Sequence, residues 1–312
     1  MPRLMSWFTT DRGRIFTRAC VGLAAVSVVG SHVAINGPLL DQLRTVCQLY
    51  KKGEPKPLSP KVKQLVEEVL NDSKLTEKEK KKITFFNVIG HDTFHAGGLN
   101  SPWGAIVGVP LIFEDMKDIN FKDLKVQGKD TVDWVVDGQD LLKALSLSDD
   151  AKKFALMREI YSCNFRHVFD NAIIGAFCIL GPAIMAQRIN MRRDAFKTAN
   201  LRTRFSWYAV YFSLGFLFYQ LIKGPFEHLH AQKNDRLAAE TGPMYLNGGI
   251  EFYRKLLLRN KALRSLLGLK GSKMFNENGN ENFFLLAPRL PISKRLELLQ
   301  DLKREKFKEA TE

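Results

Sequence analysis

Six histidines and four cysteines are the side chains of this 312-residue chain best suited to metal binding or nucleophilic attack. His91 and His95 (HDTFH) stand four apart, a spacing that on a helix would aim two imidazoles at one ion. Gly90, Gly97 and Gly98 around them predict a loop instead, where such a pair is solvated or caps the backbone. His228 and His230 (FEHLH) follow an apolar run and are placed to meet lipid head groups. Cys20, Cys47, Cys163 and Cys178 form no CxxC or CxxxC pair, which argues against a disulfide scaffold, a zinc ribbon or a copper carrier. Cys163 has Arg166 and His167 nearby in sequence, but a nucleophile needs alignment in space. With no P-loop and no GxGxxG, no cofactor is expected.

The elements that must position these groups are partly membrane helices. Three stretches lack charge: Ala19–Leu40, Asn171–Gln187 and Phe205–Ile222. The last two contain 17 and 18 residues; a bilayer core takes roughly 20, with a lower limit near 17. They flank one short basic loop, the pattern of a membrane hairpin. The net charge of +14 is concentrated: +3 in residues 1–20, +5 in 187–204 and +6 in 250–312. The rest is neutral, which excludes a uniformly basic chain that coats nucleic acid. Arg3, Arg12, Arg14 and Arg18 before the first apolar run predict a mitochondrial anchor that is retained. The positive-inside tendency puts the N-terminus and the basic loop in the matrix.

Outside the spans, Lys51–Pro60 is a Pro-rich linker, and Ser59 caps a helix with Pro60 at its first position. Residues 83–90 and Ala105–Phe113 predict strands, as do Phe121–Val126 and Thr131–Val136. Ser148-Asp149-Asp150 opens a helix that runs on through Phe165 and Val168 toward the hairpin. A separate helix is expected over His228–Glu240. Another covers Gly249–Leu267, and Ser293 is expected to cap a last helix over Lys294–Ala310.

The middle of the chain resembles an integral-membrane zinc metalloprotease, of the bacterial heat-shock and CAAX-processing type, whose site has been emptied. Leu145–Ser162 occupies the place of the HExxH helix, and Ala231–Asp235 the place of the ExxxD motif. Leu290–Leu296 resembles the third motif of those enzymes. HExxH chemistry needs two histidines on one helix face and a glutamate base between them. The matching positions here are Arg158, Glu159 and Ser162, and the third ligand falls on Ala231. Only the would-be base remains, so no metal and no catalysis are expected, and Glu159 is expected to pair with Arg158.

Gly104–Pro110, Thr131–Trp134, Leu145–Glu159, Gly248–Leu257 and Asn260–Gly268 closely resemble the transmembrane protein 177 family. That resemblance implies a multi-pass protein of the mitochondrial inner membrane that is not an enzyme. It implies a role in cytochrome c oxidase assembly, with oxidase subunit 2, the chaperone of newly made subunit 2 and copper-insertion factors as partners. The expected architecture is an α+β membrane protein, mainly helical. A degenerate metalloprotease-like domain with a small sheet is interrupted by a two-helix transmembrane hairpin and preceded by an N-terminal apolar anchor. Its parts are an anchor (1–40), a linker and helical region (41–102), a first half-domain (103–170), the hairpin (171–222) and a second half-domain (223–312). An edge strand carrying Ala105, Val107 and Val109 is the expected partner-binding groove, by strand addition. Alternatives are a protein that contacts RNA or the ribosome through its basic segments, an active metalloprotease, or a channel.

Overall fold

A computed structural model describes residues 7–8, 10–114, 137–194, 201–283 and 287–309. The strands expected over 121–126 and 131–136 lie outside these residues. Helix α1 (Asp11–Ile35) and short α2 (Leu40–Cys47) lead into a two-strand ribbon, β1 (Tyr50–Lys51) and β2 (Glu54–Pro55). Then follow α3 (Pro60–Asp72), one-turn α4 (Glu77–Lys80), β3 (Ile83–Val88), β4 (Phe94–Gly97) and β5 (Ala105–Pro110). The second half is helical: α5 (Asp137–Leu145), α6 (Asp149–Ser162), α7 (Phe165–Arg192), α8 (Leu201–Glu240), α9 (Pro243–Leu267), α10 (Leu269–Met274) and α11 (Ile292–Glu309).

Helices α1, α7 and most of α8 are long and apolar enough to cross a membrane. Both α1 and α8 pack on α7. The helices approach closely at small residues. A β-carbon on Gly215 of α8 would lie 2.3 Å from Pro182 Cγ of α7. Phe177, Leu217 and Phe218 stay exposed, as suits a lipid-facing surface.

The sheet has the order β3-β5-β4, with β3 parallel and β4 antiparallel to the central β5. Alternating side chains divide between two layers. Val107 and Val109 join the main core with Val62 and Val69 of α3 and Phe154 and Met157 of α6. Ile106, Phe86, Val88 and Ala96 face the other way, onto Leu40 and Leu43 of α2. The expected edge strand is therefore the central one. Ala105, Val107 and Val109 are 1%, 0% and 0% exposed, and neighbours occupy both hydrogen-bonding edges of β5. No peptide can add there. The outer side of β3 is partly covered by a bridge between Gln48 and Val88. Among the described residues, β4 pairs with β5 alone.

Local capping follows the side chains. Ser59 accepts from Val62 N with Pro60 in the first turn, and Ser148 accepts from Ala151 N. Three boundaries differ from expectation. The helix opened at Ser148 stops at Ser162, and Asn164 caps a new one by accepting from Arg166 N. The segment 228–240 is no separate helix but the last part of the 40-residue α8, which carries Pro225 inside it. The C-terminal helix starts at Ile292, not at a Ser293 cap. Ser293 N donates to Asn280 Oδ1 at 2.9 Å, so the free N–H is satisfied from outside the helix.

Candidate functional site

Glu159 lies on the buried face of α6, with its side chain 4% exposed. Its Oε1 accepts from Thr93 Oγ1 at 2.6 Å and from the Arg158 guanidinium. Its Oε2 meets His95 Nδ1. Arg158 also donates to Thr93 Oγ1 at 2.9 Å and to the Tyr253 hydroxyl at 3.3 Å, and lies over the Phe252 ring. Beside this pair sits a second one. Asp235, fully buried on α8, accepts from Arg295 Nε and Nη2, both at 2.6 Å, and from Tyr253 Oη at 2.5 Å. Tyr253 of α9 thus joins the two pairs.

The geometry explains the electrostatics. Burial alone would raise the Glu159 pKa, but the charges of Arg158 and His95 outweigh it and hold the carboxyl well below the ordinary range. Burial and the Asp235 carboxylate push the Tyr253 hydroxyl up, despite the opposing charge of Arg295. A group with a depressed folded pKa contributes stability that is complete above its unfolded value, near 4.3 for Glu, and is lost as pH falls through the lower folded value. The folded chain in detergent is therefore expected to lose stability steeply on acidification below about pH 4. A variant in which Glu159 and Arg158 are both neutral should lack this part of the loss, as urea titrations at stepped pH would reveal.

Two guanidiniums face two carboxylates, and each carboxylate oxygen is engaged by a donor or by the His95 ring. Arg158 presents a fixed positive charge where the resemblance places a metal ligand. Ser162 Oγ is turned back onto Arg158 O at 2.9 Å and accepts from Asn234. Ala231, one turn before Asp235 on α8, offers no donor atom on its side chain. Among the described residues, no group of three His, Cys, Asp or Glu side chains is placed to hold a metal ion.

The other candidates separate. His95 lies on a strand, not in the expected loop, because Gly97 with φ of 80° turns the chain only after it. His91 lies outside β4. Cys163 Sγ donates to Glu159 O at 3.2 Å, and burial pushes its thiol up, away from a reactive thiolate. His167 turns to Glu227 at 3.1 Å and stacks on Phe226. His228 bonds Ala287 O, so His228 and His230 do not converge.

Sequence reasoning missed Thr93, Tyr253 and Arg295. Only the correspondence of Leu290–Leu296 with a third motif pointed near Arg295. Thr93 and Arg295, with His91, Phe113, Phe252 and Arg259, line a cleft of about 430 Å³ against β4, and Tyr253 lies buried behind it.

Three membrane-length helices joined to an α+β body, with two buried arginine–carboxylate pairs beside a cleft, define a multi-pass membrane protein. A sequence profile of the family described as Transmembrane protein 177 matches residues 8–312. The chain is 29% identical over 309 residues to Transmembrane protein 177 of Xenopus laevis, covering 96% of both chains. It is 31% identical over 280 residues to the Homo sapiens protein of that name, covering 89% of this chain and 87% of the other. The Danio rerio protein is 31% identical over 245 residues, covering 76% and 77%. No solved structure matches. The chain belongs to the transmembrane protein 177 family.

Proposed function

We propose that this protein is a non-catalytic factor of the mitochondrial inner membrane. In this reading it supports cytochrome c oxidase assembly by binding and stabilising the chaperone of newly made subunit 2. The observation that carries the non-catalytic part is the Arg158–Glu159 pair. A general base needs a carboxylate free to take a proton from water, within hydrogen-bond reach of it. Both Glu159 oxygens are already engaged inside the protein. In this reading the metalloprotease-like scaffold keeps its cleft and has exchanged hydrolysis for binding. The partner surface is the cleft bordered by β4, which among the described residues pairs with β5 alone, although its Gly97 N–H already donates to Asn36 Oδ1. It is not the buried β5.

Crosslinking of the full chain in intact mitochondria, with identification of captured proteins, tests the role. Capture of oxidase subunit 2 or its chaperone is the expected result, and capture of neither would overturn it. Stoichiometric zinc in purified protein, with proteolysis abolished by Glu159→Gln, would overturn the non-catalytic part.

A further inference from the structure

The three membrane helices enclose a cavity of about 440 Å³ at the end where α1 begins, α7 finishes and α8 starts. Its wall is largely apolar, with Val21, Leu180, Ile184 and Phe212 along it, and three arginines line it: Arg14, Arg18 and Arg204. Two of them belong to the basic N-terminal segment and one to the basic hairpin loop, so the fold brings two separate charge clusters to one place. Arg204 is 5% exposed, a deep position for a guanidinium at a membrane surface. Among the described residues, no carboxylate lines the cavity, and the nearby Asp11 pairs with Arg14.

The depth of the site is marked independently. Trp207 carries Arg193 over its ring at 4.7 Å, and Trp7 packs on Phe8 and Phe16 at the start of α1. Tryptophan rings collect at the head-group level of a bilayer. The guanidiniums thus sit at phosphate depth, and the apolar wall descends from them into the acyl region. Water-soluble anions match the charge but leave that wall uncovered. Zwitterionic lipid matches the wall but brings its own cation to the guanidiniums.

We propose that this cavity is a binding site for one anionic phospholipid. The lipid phosphate is held by Arg18 and Arg204, and an acyl chain lies along Val21, Leu180 and Phe212. A basic pocket between membrane helices recognises an acidic head group in this way. Bound there, the lipid joins α1 to the hairpin, so it fixes the anchor against the rest of the membrane domain.

The test uses the full chain purified in mild detergent, with native mass spectrometry and thermal unfolding after addition of defined lipids. Phosphatidylglycerol is expected to be retained and to raise the unfolding temperature, and phosphatidylcholine to do neither. Arg18→Gln, at an exposed position, and Arg204→Gln should each weaken retention by about fivefold, the effect of one surface arginine on an acidic lipid. Arg202→Gln, in the same basic loop but outside the cavity, should leave it unchanged. Glycerophosphate, which has the anion without chains, should not compete. Equal retention of the two lipids, full competition by glycerophosphate, or undiminished retention by Arg18→Gln would each overturn the proposal. If Arg204→Gln does not fold, Arg18→Gln alone decides.

Discussion

Glu159→Gln is expected to destabilise the folded chain by about 3–5 kcal/mol, and adding Arg158→Met should restore most of that loss. The single change leaves a buried guanidinium facing an amide that cannot carry its counter-charge. Arg158 keeps Thr93 and Tyr253 as hydrogen-bond partners, but neither is anionic. The double change removes both charges from a site whose other neighbours include the Phe252 ring. Replacing a buried pair by apolar groups of similar volume is often neutral, whereas breaking one is not. Unfolding midpoints in urea, measured for the two singles and the double in one detergent, yield the coupling between the residues. A coupling near zero would mean that the pair does not hold the cluster together. A retained catalytic role would give a different pattern, with Glu159→Gln abolishing proteolysis and leaving stability nearly intact.

The second large effect concerns a glycine. In an ordinary helix interior Gly→Ala gains about 1 kcal/mol. Gly248→Ala is expected to lose about 2–3 kcal/mol instead, at the upper end of overpacking effects. The new methyl would stand 2.3 Å from Asp150 O and 2.9 Å from Ala151 N, both backbone atoms in the first turn of α6. These cannot swing aside as a side chain can, so α9 must move off α6. The same junction is tied by Ser148, which donates to Glu251 from its N–H at 3.1 Å and its hydroxyl at 2.6 Å. Gly30→Ala is the control, because nothing lies within 4 Å of the added carbon. A Gly248→Ala midpoint at or above that of the unaltered chain would rule out the close approach.

What was legible in the sequence was local. Apolar runs of membrane length and helix caps such as Ser59 and Ser148 depend on neighbours a few residues away, and the structure has both. The pairing of Arg158 with Glu159 is also local. The strand order was not legible, because it is set by partners far apart in the chain. A run such as Ala105–Pro110, apolar throughout, suits an edge under a helix as well as the centre it occupies. The cluster had the same difficulty. His95 meets Glu159 across 64 positions and Arg295 meets Asp235 across 60, and no spacing rule reaches that far. A separate helix is expected from sequence over His228–Glu240, after the second span, and Gly224 and Pro225 stand just before it. A proline removes one backbone bond and can bend a helix, but α8 continues through it with neighbouring helices packed along its length.

That continuity makes α8 a ruler. A straight helix rises 1.5 Å per residue, so about 20 residues from Phe205 carry the chain through the hydrocarbon, to the neighbourhood of Pro225. Asp235 lies ten residues beyond, which places the ion cluster roughly 15 Å above the hydrocarbon along the helix axis. The cleft is therefore held at a set height by the same rod that crosses the bilayer. Under the proposed role, a membrane-anchored client needs at least about five extended residues past its own last span to reach it, whereas a soluble client meets no such limit. With the cleft as the proposed partner surface, the length of one helix would select partners by reach, before any side chain of the cleft is touched.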